Sequence, residues 1–189
     1  MEGIRIARQL GTNVVRVFTG NLKDGISYEK AQTWIIESLK RCAEVAEEER
    51  IYLAIENHGL LAGKSDQIND IIKSVDSAYV KSTFDTGNFL LLDESPTKAF
   101  KRLKDEIVHI HFKDFREKHS SEQEKGFTSI TGKELIGCIP GDGKVDLANI
   151  VDGLKENNYK GWLSIEFEGP EEAQDATLKA VNRLRELVH

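Results

Sequence analysis

The chain alternates between short, nearly continuous apolar runs and longer stretches with apolar positions at helical spacing. The short runs are Val14-Val-Arg-Val-Phe18, Ile51-Tyr-Leu-Ala-Ile-Glu56, Val80-Lys-Ser-Thr-Phe-Asp85, Ile107-Val-His-Ile-His111 and Trp162-Leu-Ser-Ile-Glu166. Each is rich in Ile, Val, Leu or aromatics and is closed by Gly or polar residues, the pattern of a strand buried on both faces of a parallel sheet. Helices are predicted between them. One covers about 2–10 and stops at Gly11. A second runs from Tyr28 to Glu49, with Trp34, Ile35, Ile36, Leu39, Cys42 and Val45 at helical spacing. Ser65 reads as the N-cap of a third, with Ile68, Ile71, Ile72 and Val75 on one face. Ser95-Pro96 opens a fourth, reaching about Leu103. A helix capped by Asp146 covers about 147–157, and Pro170 opens a terminal helix ending near Leu187. Residues about 115–140 read as one long loop.

Strands that alternate with helices imply a parallel α/β sheet. No composition break or low-complexity linker divides residues 1–189, so a single domain is expected. The charge of −6 argues against a general affinity for nucleic acid or anionic membranes. No apolar run approaches the ~20 residues of a membrane helix, and the N-terminus lacks the apolar core of a signal peptide, so the cytoplasm is the expected location. Cys42, in a helical pattern, and Cys138, in the loop, read as reduced, buried or half-buried thiols.

Four of the apolar runs end in a residue that can bind a metal: Glu56, Asp85, His111 and Glu166. Packing alone gives no reason for charged groups at successive strand ends. In α/β barrels the chemistry sits at the carboxyl ends of the strands. Three carboxylates and one imidazole converging there suit one divalent ion, Mn²⁺, Mg²⁺, Co²⁺ or Zn²⁺. A complete barrel needs eight strands, and only five are predicted here.

At these residues the chain resembles the xylose isomerase-like superfamily, which includes sugar isomerases and epimerases, inosose dehydratase and endonuclease IV. The resemblance rests on Leu53-Ala-Ile-Glu-Asn-His58, Phe84-Asp-Thr-Gly-Asn88, His109-Ile-His-Phe-Lys-Asp114, Gly141-Asp-Gly-Lys-Val-Asp146 and Gly161-Trp-Leu-Ser-Ile-Glu-Phe-Glu168, in that order. It implies a TIM-barrel-type (β/α) fold represented by five parallel strands and flanking helices, equivalent to barrel strands four to eight. It implies that Glu56, Asp85, His111 and Glu166 are the metal ligands. It also implies that Glu56 and Glu166 shuttle a proton beside a carbonyl, through an enediolate that a bound divalent ion stabilises.

Other candidates carry ordinary readings beside the functional ones. His109 shares the strand parity of His111 and reads as a packing or supporting residue. His58, at a strand mouth, reads equally as a substrate contact or a loop residue. Asn88 stands where several relatives carry a His, and can contact substrate through its amide. Lys113, Asp114 and Arg116 could bind a substrate hydroxyl, carboxylate or phosphate, and equally fit a solvated surface pair of adjacent opposite charges. Glu168 shares the parity of Glu166 and reads as a second inward carboxylate or a loop partner. Arg16, inside the first strand, would need a partner if it turned inward. Gly141-Asp-Gly143 lacks the later glycine and preceding strand of a dinucleotide fingerprint, and reads as a turn into the helix capped by Asp146.

The function expected is that of a divalent-metal-dependent isomerase or epimerase acting on a sugar or sugar phosphate. An endonuclease IV-like phosphodiesterase is the first alternative; the small number of histidines and the acidic balance count against it. A truncated, non-catalytic metal-binding fragment is the second. Exposed strand edges would also favour a homo-oligomer.

Overall fold

Of the apolar runs, those ending at Glu56, Asp85 and His111 are largely buried, while Val14–Val17 and Leu163–Ile165 are at most half-buried. The computed structural model describes residues 1–189. In chain order the elements are α1 (Glu2–Gln9), β1 (Val14–Val17), α2 (Tyr28–Glu49), β2 (Tyr52–Glu56), α3 (Gly59–Ala62), α4 (Ser65–Val75) and β3 (Val80–Asp85). There follow α5 (Asn88–Leu91), α6 (Pro96–Leu103), a short 3₁₀ turn (Lys104–Glu106), β4 (Ile107–Phe112), β5 (Asp114–Glu117), β6 (Phe127–Thr128) and β7 (Glu134–Cys138). The last are α7 (Leu147–Glu156), β8 (Leu163–Ile165) and α8 (Ala173–Val188). One parallel sheet has the order β1-β2-β3-β4-β8, and a second, antiparallel sheet has the order β5-β7-β6. Five parallel strands linked through helices form an incomplete (β/α) barrel, three strands short of closure.

The chain divides into two compact units, Met1–Phe84 with Asp105–His109, and Asp85–Lys104 with Ile110–His189. In the first, β1 pairs with β2 (Val15↔Leu53) and β2 with β3 (Ile55↔Ser82). Leu53, Ala54, Ile55, Val80 and Phe84 are buried, the burial of both faces that the continuous apolar runs predict. The helix α2 matches its predicted span. Ser27 caps it by accepting from the Lys30 N–H at 3.3 Å, and Arg50 ends it in the left-handed conformation. Only its alanines Ala31, Ala43 and Ala46 are buried, and Trp34 stays 48% exposed. A cavity of about 460 Å³ separates this helix from the loop after β1, lined among others by Phe18, Ile26, Trp34, Leu39 and Leu61.

In the second unit β4 pairs with β8 (His111↔Ser164). Ala176 and Ala180 of α8 pack on Ile139, with Ile165 and Phe167 against them. Asp146 caps α7 as expected, accepting from the Asn149 N–H at 3.1 Å.

Several expectations are corrected. Residues 115–140 are not one loop: they carry most of the antiparallel sheet, in which Phe115 pairs with Gly137 and Phe127 with Leu135. Alternation there is too short and glycine-rich to read as strands from periodicity. Cys138 therefore lies in β7, where burial pushes its thiol up to about 12, that of an inert core residue. Ser65 is the first residue of α4 rather than its cap. The Gln67 side-chain oxygen accepts instead from the Lys64 N–H at 3.0 Å. Pro170 does not open α8, which begins at Ala173 with the Glu172 carboxylate accepting from the Gln174 and Asp175 N–H groups. Trp162 lies outside β8 and is 81% exposed.

Candidate metal centre

Asp85 is the last residue of β3 and is fully buried. Its Oδ1 accepts from the N–H groups of Gly87 (2.9 Å) and Asn88 (2.8 Å), the local bond pattern by which an aspartate turns a chain into a helix. Thr86 then ties this turn to the end of β4. Its N–H donates to the His111 carbonyl at 3.0 Å, its hydroxyl donates to the Lys113 carbonyl at 2.6 Å, and the same hydroxyl accepts from the Lys113 N–H at 3.0 Å. The Glu166 N–H donates to the Phe112 carbonyl at 3.1 Å. Backbone bonds thus hold the ends of β3, β4 and β8 in register before any side chain is considered.

The side chains meet at those ends. His111 Nδ1 lies 3.0 Å from Glu166 Oε1. Lys113 Nζ lies 2.9 Å from Glu166 Oε2, 3.4 Å from Asp85 Oδ2 and 3.4 Å from Glu168 Oε2. A β-carbon on Gly87 would stand 2.8 Å from Lys113 Cγ and 3.0 Å from the Phe115 ring, so the missing side chain makes room for the lysine stem. The His111 hydrogen bond, with help from Lys113, holds the Glu166 carboxyl down at about 2, against the opposing effect of burial. Burial pulls the Lys113 pKa down, and the facing carboxylates Asp85, Glu166 and Glu168 more than reverse this, leaving the ammonium above its ordinary value. Lys113 is therefore no surface residue.

Asp85, His111 and Glu166 each bring one ligand atom within 4.8 Å of the others. Two carboxylates and one imidazole fit the expected divalent ions by donor chemistry, and this unit alone supplies all three. Glu56 belongs to the first unit. It ends β2, is 2% exposed, and accepts from Arg16 Nη1 at 2.9 Å, giving that arginine a carboxylate partner.

The other predicted residues separate into groups. Asn88 is buried beside Asp85 at the start of α5. Glu168 reaches Lys113 while 43% of its side chain stays exposed. Arg116 is held by Glu122 in a two-pronged pair, one arm at 2.9 Å. His58 is exposed, its ring 5.2 Å edge-to-face from Phe18 in the first unit.

Asp114, read from the sequence as a substrate contact or a surface residue, is neither exposed nor solvated. It is 1% exposed, and its carboxylate accepts four backbone N–H groups: Phe115 (2.8 Å), Val145 (3.0 Å), Gly141 (2.9 Å) and Gly143 (3.0 Å). Burial still pushes its pKa up, against those donors. It ties the Gly141-Asp-Gly143 turn to the start of β5, directly after Lys113. The adjacency Lys113-Asp114 was the available signal, and it pointed toward solvent.

The comparisons agree with this fold. The family described as xylose isomerase-like TIM barrel matches residues 1–187. An inosose dehydratase of Lacticaseibacillus casei is 32% identical over 133 residues, covering 69% of this chain and 45% of that protein. The chain spans about half the length of the curated relatives it matches. Among solved structures, a xylose isomerase domain protein from Planctomyces limnophilus has a TM-score of 0.78 at 19% identity, covering 98% of this chain and 63% of that one. An IOLI protein with a bound zinc atom has a TM-score of 0.76 at 18% identity, covering 99% and 66%. At such identities the structures speak for the fold. With the family pattern running from the first residue to near the last, and the fold in agreement, the chain belongs to the xylose isomerase-like TIM barrel family.

Proposed function

We propose that this chain carries the metal-binding part of a sugar or polyol enzyme that removes a proton beside a carbonyl, with loss of water as the outcome. The observation that carries the reading is the meeting of Asp85, His111 and Glu166 at successive strand ends, next to a buried ammonium. The inosose dehydratase relatives favour dehydration. Isomerisation and epimerisation, through the same enediolate, start from the same abstraction and form the second outcome. Asn88 and the single imidazole of the cluster argue against a multinuclear phosphodiesterase site.

A bound divalent ion would polarise the substrate carbonyl and stabilise the negative charge that develops on its oxygen. In this reading Asp85, His111 and Glu166 hold it, with Glu56 from the end of β2 as the fourth ligand. Glu166, ionised at neutral pH, accepts the proton, and Glu56 serves as the second acid/base group. His58, Asn88, Lys113, Arg116 and Glu168 are the proposed substrate contacts, with Lys113 and Asn88 the best sheltered from water. The substrate is a small polyhydroxylated carbonyl compound, phosphorylated or not. A second copy of the chain is the proposed partner.

The test is Mn²⁺ titration of the purified chain and of Glu166→Gln, followed by incubation of the loaded protein with inosose. About one ion per chain, at least ~10-fold weaker in the variant, and a product one water lighter by mass spectrometry are expected. A folded chain that binds no divalent ion would sink the reading.

A further inference from the structure

Lys113 sits among the oxygens that the metal reading requires. Asp85 Oδ1 is engaged by two backbone N–H groups, while Oδ2 faces the Lys113 ammonium at 3.4 Å. Glu166 directs Oε1 to His111 and Oε2 to Lys113, at 2.9 Å. An ammonium and a divalent ion cannot share these oxygens at short range without strong mutual repulsion, because little water separates them there. The lysine is also held in place by the fold. Thr86 bonds both its N–H and its carbonyl, and the bare Gly87 accommodates its stem. Its third partner, Glu168, lies outside the donor group and is the most exposed of the three carboxylates.

We propose that Lys113 is an internal competitor for the metal position: its ammonium shares Asp85 and Glu166 with the divalent ion, and moves onto Glu168 when the ion binds. The inference rests on the metal-centre reading above and adds a regulation to it. The lysine screens the facing carboxylates from one another and sets the concentration of ion needed to load the centre. Once moved to Glu168, its ammonium stays beside the centre as a donor for a substrate oxygen.

Calorimetric titration with Mn²⁺ alone tests it, using the wild-type chain, Lys113→Met and Lys113→Arg, each checked for native circular dichroism. Lys113→Met should bind Mn²⁺ at least ~10-fold more tightly than wild type, and Lys113→Arg should stay close to wild type. Thermal unfolding without metal should show Lys113→Met less stable, with the difference shrinking at saturating Mn²⁺. Wild-type affinity that the methionine variant leaves unchanged or weakens would overturn the competitor role and leave the metal centre standing. No binding by any of the three would remove both. Crystals of the wild-type chain grown with Mn²⁺ give an answer that needs no variant. The Lys113 ammonium should have left Asp85 for Glu168, and an ammonium still bridging Asp85 and Glu166 beside the ion would overturn the proposal.

Discussion

Asp114 shows how much one side chain can decide. Its two oxygens satisfy four backbone N–H groups spread over Phe115, Gly141, Gly143 and Val145. Removing them strands buried donors, and each unsatisfied donor costs about 1–3 kcal/mol before relaxation and water entry reduce the sum. Asp114→Ala should therefore lower stability by roughly 2–4 kcal/mol in urea denaturation. Asp114→Asn, which keeps one acceptor oxygen, should lose less. A loss under about 0.5 kcal/mol for the alanine variant would show that this turn holds itself. No local pattern reveals such a residue, because its partners stand up to 31 positions away. The four candidate metal-binding residues were easier to see, since each terminates its own apolar run.

At the scale of elements, the parallel strands were legible and the antiparallel sheet was not. A strand buried on both faces needs a continuous apolar run, and that signal survives in five residues. The strands β5, β6 and β7 have 4, 2 and 5 residues and owe their pairing to one another and to contacts outside the sheet. Gly137 is one such contact: a β-carbon there would collide with the Glu168 backbone. So β7 lies directly against the segment that follows β8 and carries Glu168. Gly137→Ala must push that segment away. It should lower stability by about 1–3 kcal/mol and weaken Mn²⁺ binding in the same protein, measured by denaturation and titration together. Loss of stability with unchanged metal affinity would separate the antiparallel sheet from the centre.

At the scale of the whole molecule, β1 is an edge strand of the parallel sheet, paired with a strand on one side only. In the same unit α1 buries Ile4 and Ala7 but leaves Ile6 and Leu10, one turn apart, 47% and 78% exposed. Phe18 and Trp34 are about half exposed as well. A free edge beside exposed apolar side chains favours association. Light scattering should find a species larger than one chain, and Ile6→Glu with Leu10→Glu should shift it toward the monomer. A monodisperse wild-type monomer would rule the association out. Membrane insertion through a helix is a separate matter: no helix is long and apolar enough to cross a membrane.

The sequence by itself determined the parallel α/β class, the spans of α2, β3 and α6, the Ser95 and Asp146 ends of helices, and the four strand-end residues with metal-binding chemistry. These are properties of local periodicity and capping, which act over a few residues. Only the tertiary structure decided that Lys113 lies among carboxylates rather than in water, that Asp114 gathers a distant turn, that residues 115–140 contain a sheet, and that much of α2 stays uncovered. Each of these depends on which surfaces meet, and burial and charge pairing between distant positions leave no periodic trace in the chain.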